Sequence, residues 1–310
     1  MTHPIRFGVM LPQWGATWSR AVEVAQAADE AGFESVHCVD HLVGFPMDTL
    51  PGLESWTEIS AIAAVTRRVR LGHLVLCVSF RSPALLAKMA ATLDVISNGR
   101  MILGLGAGWY AGEYEQYGYA FPPIATRLGQ LGDTLAILRA MWSTERATVE
   151  GRHFQVRNAA CAPKPVQARL PILIGGGGEK VLLRLVARWA DVWNNLGIAH
   201  REVAAKRAVL DAHCRALGRD PSEIVTSQQT LAAIALDRAE AQRRTQAVMR
   251  ALGFLDGAPD LALCGMPDEI RARVEANREL GVTYFIMTLG LQTDPEDVRL
   301  FGREVIAAYA

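Results

Sequence analysis

The sequence of 310 residues lacks an excess of charge of either sign, since 32 basic residues are balanced by 32 acidic ones. Neither a nucleic acid nor an anionic membrane surface is therefore expected as a partner, because both are usually bound through clustered lysine and arginine. No apolar run is long enough to span a bilayer, and the first residues, MTHPIRFGVMLPQWG, lack the segments of a signal peptide. We expect a cytoplasmic protein that acts on a small-molecule substrate.

Cysteine is also scarce. The five cysteines are scattered without C-x-x-C spacing, at Cys38, Cys77, Cys161, Cys214 and Cys264. That arrangement suggests neither a disulfide framework nor a zinc site, and no metal site is expected. Half of the residues are hydrophobic, which is enough for a sizeable core in a chain of this length.

Short apolar runs alternate along the chain with longer segments of helical period. Eight runs are predicted as strands, at residues 5–11, 35–39, 70–77, 101–105, 171–175, 191–194, 226–235 and 284–289. Eight alternations of strand and helix favour an α/β fold of one domain, a (β/α)8 TIM barrel over residues 1–310. An open doubly wound sheet is the competing fold, but the even spacing of the units argues against it.

Local signals mark helix ends and one insertion. Ser55 with Glu58 is predicted to form a capping box, and Asp294 before Pro295 is predicted to begin the last helix. Residues 146–171 are too long for a simple loop, and their alternating pattern predicts a small hairpin inserted before the fifth strand. Insertions of this kind are often lids or dimer contacts.

The chemistry of a barrel enzyme lies at the carboxyl ends of its strands. Four predicted strands end in Asp40-His41, in Cys77 to Arg81, in GLGAGWYAGE (104–113) and in the glycine run 175–178. The loop GLGAGW lacks the G-x-G-x-x-G spacing of a dinucleotide fold and follows the fourth strand rather than the first. A Rossmann fold is therefore disfavoured.

The run of four glycines precedes a predicted helix. Unhindered N–H groups at a helix N-terminus can hold a phosphate, which favours a ligand reason for the run. A tight turn is the alternative explanation, but one or two glycines would be enough for it.

These motifs together resemble the bacterial luciferase-like monooxygenase superfamily of flavin and deazaflavin oxidoreductases. The resemblance covers essentially the whole chain, and the pairing of TLDVISNGR with GLGAGW is specific to that superfamily. The combination of ALLAKMAATLDVISNGR, GAGWYAGEYEQYGY, CAPKPVQ and PILIGGGGEK looks most like the subgroup predicted to use the deazaflavin coenzyme F420.

The resemblance implies where the cofactor would lie. Asp40 and His41 match positions beside the cofactor ring, and Leu74-Val75 matches a non-proline cis peptide that supports one face of the ring, with Cys77 close by. The other cofactor-binding positions that it implies are Ala107, Gly108, Trp109, Gly175, Gly176 and Gly177.

The sequence departs from the sugar and alcohol dehydrogenases of the family. In those enzymes a histidine works with a nearby tryptophan and a glutamate, whereas here Gly44 and Phe45 stand near the tryptophan position and Trp109 occupies the glutamate position. A sugar-phosphate dehydrogenase is therefore disfavoured. With one proton-transfer group rather than a pair, we expect hydride transfer to or from a fairly apolar substrate, with His41 as general acid or base.

Structural roles are the alternative for several of these side chains. His41 would then bond only to backbone, and Arg81 would be either a ligand for an anion of cofactor or substrate or a surface residue. Of Trp14, Trp18, Trp109 and Tyr110, only Trp109 is expected to face the pocket.

The leading hypothesis is an F420-dependent oxidoreductase, in which the protein orients the reactants and the coenzyme supplies the redox chemistry. An FMN-dependent monooxygenase that uses reduced flavin and oxygen is the first alternative, and a non-catalytic flavin-binding protein is the second. The substrate would be selected by residues 42–54, by the 146–170 insertion and by residues 251–264. The family resemblance further implies a homodimer.

Overall fold

The computed structural model describes residues 3–44 and 48–310, and twelve strands lie within them. They are β1 (Arg6–Met10), β2 (Ser35–Cys38), β3 (Arg70–His73), β4 (Leu76–Cys77), β5 (Met101–Gly106), β6 (Arg146–Glu150), β7 (Gln155–Ala160), β8 (Ile172–Gly175), β9 (Val192–Asn195), β10 (Val225–Ile234), β11 (Leu263–Gly265) and β12 (Tyr284–Thr288).

Eight of these strands form a closed parallel ring in the order β1, β2, β3, β5, β8, β9, β10 and β12, and β12 pairs back with β1. The predicted (β/α)8 barrel is therefore confirmed. Each of the eight predicted strands is present, and apart from the third strand no end differs from the predicted one by more than one residue. That predicted strand, 70–77, is interrupted between β3 and β4 at Leu74-Val75, which are joined by a cis peptide bond.

Ten α-helices lie in the described part of the chain. They are α1 (Trp18–Glu30), α2 (Ser55–Val65), α3 (Pro83–Ile96), α4 (Ala111–Gln116), α5 (Ile124–Ser143), α6 (Leu182–Trp189), α7 (Val203–Ala216), α8 (Arg238–Leu252), α9 (Pro267–Glu279) and α10 (Pro295–Glu304). Neighbouring helices contact one another around the outside of the barrel, as α1 does with α2 and α10. None of the described helices has the length and apolar character needed to cross a membrane.

Apolar side chains fill two layers. A large cluster lies between the strands and the surrounding helices, where Val24, Ile59 and Leu135 have no exposed surface. A smaller cluster draws members from strands all round the ring, so it lies inside the barrel: Met10, Leu74, Ile102, Leu173, Val192, Val225, Tyr284 and Ile286. The alternation of strand side chains between two apolar environments explains why the strands read as continuous hydrophobic runs.

The insertion before β8 is the predicted hairpin, formed by the antiparallel strands β6 and β7. It packs against α5, where the Asp133 carboxylate accepts hydrogen bonds from the backbone N–H groups of His153 and Phe154 at 2.6 and 3.1 Å. The hairpin is thus attached to the outer layer of helices.

Helix ends are confirmed in one case and corrected in another. Asp294 caps α10 as predicted, since its carboxylate accepts the N–H of Glu296 at 2.9 Å. The capping box of Ser55 and Glu58 is wrong, because Glu54 caps α2 by accepting the N–H groups of Trp56 and Thr57. Glu58 turns to the interior instead, where it is 2% exposed and Cys38 Sγ donates to its Oε2 over 3.5 Å.

We predict that Glu58 makes stability depend on pH. Burial raises the pKa of its carboxyl to about 7, from an ordinary value of 4.5. The folded state therefore holds this proton more tightly than the unfolded state, so stability falls as pH rises from about 4.5 to about 7, by about 3 kcal/mol in total. The side chain in Glu58→Gln cannot ionise. The free energy of unfolding of this variant, relative to that of the wild type, should therefore be higher at about pH 8 than at about pH 5, as measured by urea unfolding.

The control is Glu145→Gln, the same change at an exposed position. Burial lowers the pKa of His37 and His73 to about 3, so these histidines make stability rise with pH, opposite to the effect of Glu58. Both histidines are present in the wild type and in Glu58→Gln, so their effect cancels when the two are compared. A difference between Glu58→Gln and wild type that stays constant with pH would show that Glu58 is not protonated in the fold.

Candidate functional site

A cavity of about 740 Å³ opens at the carboxyl ends of the barrel strands. Its volume falls within the range of small-molecule sites in proteins. The structure brings ten of the eleven predicted site residues together at its wall: Asp40, His41, Leu74, Val75, Cys77, Ala107, Gly108, Trp109, Gly175 and Gly176. Gly177 is not among the lining residues, and its carbonyl oxygen accepts a hydrogen bond from Lys206 Nζ at 2.9 Å.

His41 forms a pair with a carboxylate that sequence reasoning missed. Its Nδ1 lies 2.5 Å from Oε1 of Glu113 in α4, and the same oxygen accepts the backbone N–H of Leu42 at 3.2 Å. The Glu113 side chain is 3% exposed and the His41 side chain 15%. Contrary to the expectation from the sequence, the imidazole is therefore not isolated but is paired with a carboxylate. The glutamate lies four residues after Trp109, in the first turn of helix α4, and from there its side chain reaches the histidine.

Three aromatic rings surround His41. The ring centroids of Trp14, Trp109 and Tyr110 lie 5.7, 5.6 and 6.2 Å from that of the imidazole, and Trp109 stacks on Tyr110 at 5.4 Å. All three line the cavity, so the expectation for Trp14 and Tyr110 is corrected. Trp18 lies at the start of α1, 41% exposed and outside the lining. The imidazole thus sits in an apolar, partly enclosed setting.

Asp40 is held by Arg81 rather than left open to a ligand. The guanidinium donates to both carboxylate oxygens, at 2.7 and 2.9 Å, and the N–H of Cys77 donates to one of them at 2.8 Å. Arg81 also bonds to Glu54 at 2.7 Å, and its side chain is only 11% exposed. Burial raises the pKa of Asp40, and Arg81 opposes that shift. Arg81 is therefore not a surface residue, and its guanidinium already binds two carboxylates of this chain.

Glycines on two strands make room for Val75. A Cβ at Gly106 of β5 would lie 2.6 Å from Val75 Cγ2, and one at Gly175 of β8 would lie 3.1 Å from Val75 Cγ1. A Cβ at Gly104 would overlap the carbonyl of His73. The first glycine of the run therefore has a packing reason, which is close contact with the interrupted third strand.

The rest of the glycine run has more than one role. Gly176 has φ +126°, and its N–H donates to the carbonyl of Asn194 at 3.1 Å, so that donor is engaged. The N–H groups of Gly177 and Gly178 make no hydrogen bond within residues 3–44 and 48–310. Helix α6 begins only at Leu182, so the run does not lead directly into it. Two adjacent backbone donors remain for a ligand.

The loops expected to select the substrate divide into two groups. Residues 252, 254 and 255 line the cavity, in agreement with the expectation for 251–264. No residue of the 146–170 hairpin lines it, so a lid over this cavity is not formed by the hairpin in the described structure. Gly44 is buried outside the lining, and Phe45 lies outside the described residues.

Comparison with known proteins identifies relatives over most of the chain. Residues 1–260 match the sequence model of the family described as luciferase-like monooxygenase. An F420-dependent glucose-6-phosphate dehydrogenase from Microbacterium testaceum is 33% identical over 192 residues, which cover 62% of this chain and 56% of the relative. The pyrimidine monooxygenase RutA from Stutzerimonas stutzeri is 33% identical over 186 residues, 58% of this chain and 51% of the relative.

Solved structures show the same fold. An F420-dependent secondary alcohol dehydrogenase in complex with an F420-acetone adduct superposes with a TM-score of 0.84 at 19% identity, covering 99% of this chain and all of that one. The chain spans about half the length of the curated relatives it matches. Those relatives include both oxidoreductases and monooxygenases.

We predict that Gly106→Ala destabilises the protein through Val75. The new methyl carbon would lie 2.6 Å from Val75 Cγ2, which is too close for two carbons, and overpacking of this kind costs about 1–3 kcal/mol. Val75→Ala in the same chain should recover part of that loss, as measured by urea unfolding of the single and double variants.

The matched control is Gly132→Ala in α5, where the added carbon would meet its nearest neighbour, Leu185 Cδ2, at an ordinary 3.5 Å. This variant should be as stable as the wild type or slightly more stable, because alanine favours the helix. If Gly106→Ala destabilises the protein equally with and without Val75→Ala, the contact does not explain the glycine.

Proposed function

The chain belongs to the luciferase-like monooxygenase family, and on that premise we propose that it is an oxidoreductase that transfers a hydride between coenzyme F420 and a small organic substrate. The observation that supports catalysis is the buried pair of His41 and Glu113 at the wall of the cavity. A protein that only bound a flavin would have no need of a histidine held by a carboxylate.

The arc of the barrel from β2 to β8 fits a flat cofactor. Close packing between strands makes Gly106 and Gly175 necessary, and Gly108 is needed because a Cβ there would overlap the Tyr114 hydroxyl. The backbone at these positions therefore presents a surface with few protruding side chains. Leu74, Val75, Ala107 and Trp109 would complete the contact with the ring. When bound, F420 supplies a two-electron hydride carrier.

The phosphate of the cofactor tail would lie at the end of β8. Gly177 and Gly178 offer two adjacent N–H groups there, and Lys206 places a cation beside the loop, 3.0 Å from Glu202. Backbone N–H groups presented together in a concave loop form an anion site. Gly176 shapes this loop, because its own N–H is bonded to Asn194.

His41 is the proposed general acid or base. With the Glu113 carboxylate bonded to Nδ1, Nε2 is the ring nitrogen that would accept a proton from the substrate. In the oxidation of an alcohol, Nε2 of His41 would take the hydroxyl proton while the adjacent carbon gives its hydride to the carrier, and Glu113 would stabilise the resulting imidazolium. In the reverse direction, His41 returns that proton. Glu113 is thus a positioning residue that acts through His41.

FMN-dependent monooxygenation is the second candidate, favoured by the 33% identity to the RutA relative. The choice of F420 rests on the motifs ALLAKMAATLDVISNGR and PILIGGGGEK and on the equally similar F420-dependent relative. Both cofactors carry a flat tricyclic ring and a phosphate, so the same surface would serve either.

Cofactor choice is tested by titrating the purified protein with F420 and with FMN while following fluorescence. We expect F420 to bind at least about tenfold more tightly than FMN. Gly178→Asp should weaken the binding of either cofactor by about tenfold relative to Gly178→Asn, because only the aspartate adds a negative charge at the phosphate position.

A preference for FMN would replace the proposed reaction with monooxygenation. Equal cofactor affinities of Gly178→Asp and Gly178→Asn would show that the phosphate does not bind at this loop. The position tolerates a side chain, since a Cβ there would meet its nearest neighbour, Leu182 Cβ, at 3.6 Å.

The role of the pair is tested by turnover with F420 and a panel of neutral alcohols and ketones. His41→Ala should lower kcat by about 100-fold or more, since general acid–base catalysis commonly supplies that factor. Glu113→Gln should lower it less, because the amide still contacts Nδ1 but cannot stabilise the imidazolium.

Tyr117→Phe is the matched control. It removes the hydrogen bond of the tyrosine hydroxyl to the Leu42 carbonyl, 2.9 Å long, in the segment that Glu113 also holds. Turnover should stay near the wild-type level in this variant. A kcat of His41→Ala close to that of the wild type would contradict the proposed role of the histidine.

A further inference from the structure

The cavity has a second arc whose chemistry differs from that of the glycine-rich arc. It is formed at the ends of β9, β10 and β12 and by the segment that follows α8. Its lining side chains are mainly aliphatic or aromatic: Leu196, Ile198, Leu252, Phe254, Leu255 and Leu291. Since β9, β10 and β12 are neighbours in the ring, these groups form one continuous wall.

Close backbone packing builds this wall. The N–H of Gly257 donates to the carbonyl of Gly197 at 2.9 Å. A Cβ at Gly197 would overlap the Leu255 carbonyl, and one at Gly257 would overlap the Ile198 carbonyl. The two segments therefore hold each other rigidly and direct Ile198 and Phe254 to the cavity, where they are 61% and 50% exposed. Exposed apolar groups in a concavity mark a site for an apolar ligand.

The charges that line the cavity disfavour an anionic substrate on this arc. Within residues 3–44 and 48–310 no lysine or arginine lines it. The carboxylates that do line it, Asp40 and Glu113, are bonded to Arg81 and His41. A phosphate or carboxylate group on the substrate would therefore be desolvated without a countercharge, which is costly.

Gln229 adds one polar group to the apolar wall. It lies on β10 and lines the cavity, and its side-chain amide makes no hydrogen bond in the described part of the chain. The preceding residue, Gln228, is fully buried and bonds through its amide to Asn195, Leu196 and the Gln229 carbonyl. The amide of Gln228 is therefore used in hydrogen bonds within the protein, whereas that of Gln229 is directed to the cavity.

We propose that this arc, defined by β9, β10, β12 and residues 252–255, is the substrate half of the cavity and that Gln229 recognises a neutral polar group on an otherwise apolar, uncharged substrate. A carbonyl, hydroxyl or amide group matches the donors and acceptor of the glutamine amide. The inference rests on the proposed function, which places the cofactor along the other arc.

The test measures binding of three matched probes to the protein of residues 1–310 without cofactor, by saturation-transfer NMR and tryptophan fluorescence. The probes are acetophenone, ethylbenzene, which lacks the oxygen, and benzoate, which adds a negative charge. We expect acetophenone to bind about tenfold more tightly than either of the others. In Gln229→Leu the affinity for acetophenone should fall to that for ethylbenzene, while ethylbenzene binding is kept.

Two further variants keep the test decisive. Gln229→Met, which is close in shape to glutamine, repeats the measurement if leucine impairs folding. Gln26→Leu, the same change at an exposed position of α1, should alter none of the three affinities.

Benzoate binding as tight as that of acetophenone would overturn the inference of a neutral substrate. Equal weakening of acetophenone and ethylbenzene in both Gln229 variants would overturn the specificity role of the glutamine. Failure of all three probes to bind would overturn the apolar substrate half. The cofactor titrations use the same protein, so failure of cofactor binding with the expected probe pattern would reject the proposed function and leave ligand recognition by this arc standing.

Discussion

The shape of the cavity depends on how closely the backbone of β5 and β8 approaches the third barrel strand. Side chains at Gly106 or Gly175 would collide with Val75, and one at Gly104 would collide with the His73 carbonyl. Protein interiors are packed to crystal-like density, so strands cannot move apart to accept an added carbon without loss elsewhere. Because these glycines have no side chains, backbone is exposed at the open end of the cavity, where the carboxyl ends of the strands lie. A packing requirement of the barrel thus creates a surface that a flat ligand can reach.

Charged groups at the mouth are fixed before any ligand arrives. Arg81 joins Asp40, at the end of β2, to Glu54, which caps α2. Glu113 joins His41 to the backbone of Leu42. Each of these carboxylates has its partner in a different element, so the pairs tie the strand ends to the helices. A site whose polar groups are already oriented need not reorganise during reaction.

The two arcs of the cavity divide the chemistry between them. The arc from β2 to β8 offers backbone, a histidine–glutamate pair and two adjacent N–H groups at Gly177 and Gly178. The arc from β9 to β12 offers apolar side chains and one amide, that of Gln229. A carrier with a charged tail suits the first arc and an uncharged substrate suits the second. The polarity of the walls therefore supports the proposal that two ligands bind side by side.

The order of apolar runs was enough to predict the barrel, because parallel strands buried on both faces are continuously hydrophobic and the helices between them carry their own start signals. The sequence also located the mouth, since strand ends meet at one edge of a parallel barrel. It did not reveal that Glu113 reaches His41, that Arg81 is neutralised by Asp40, or that Gly175 makes room for Val75. These contacts join residues 72, 41 and 100 positions apart. Local pattern carries no information on such distances, and only closure of the ring brings those side chains together.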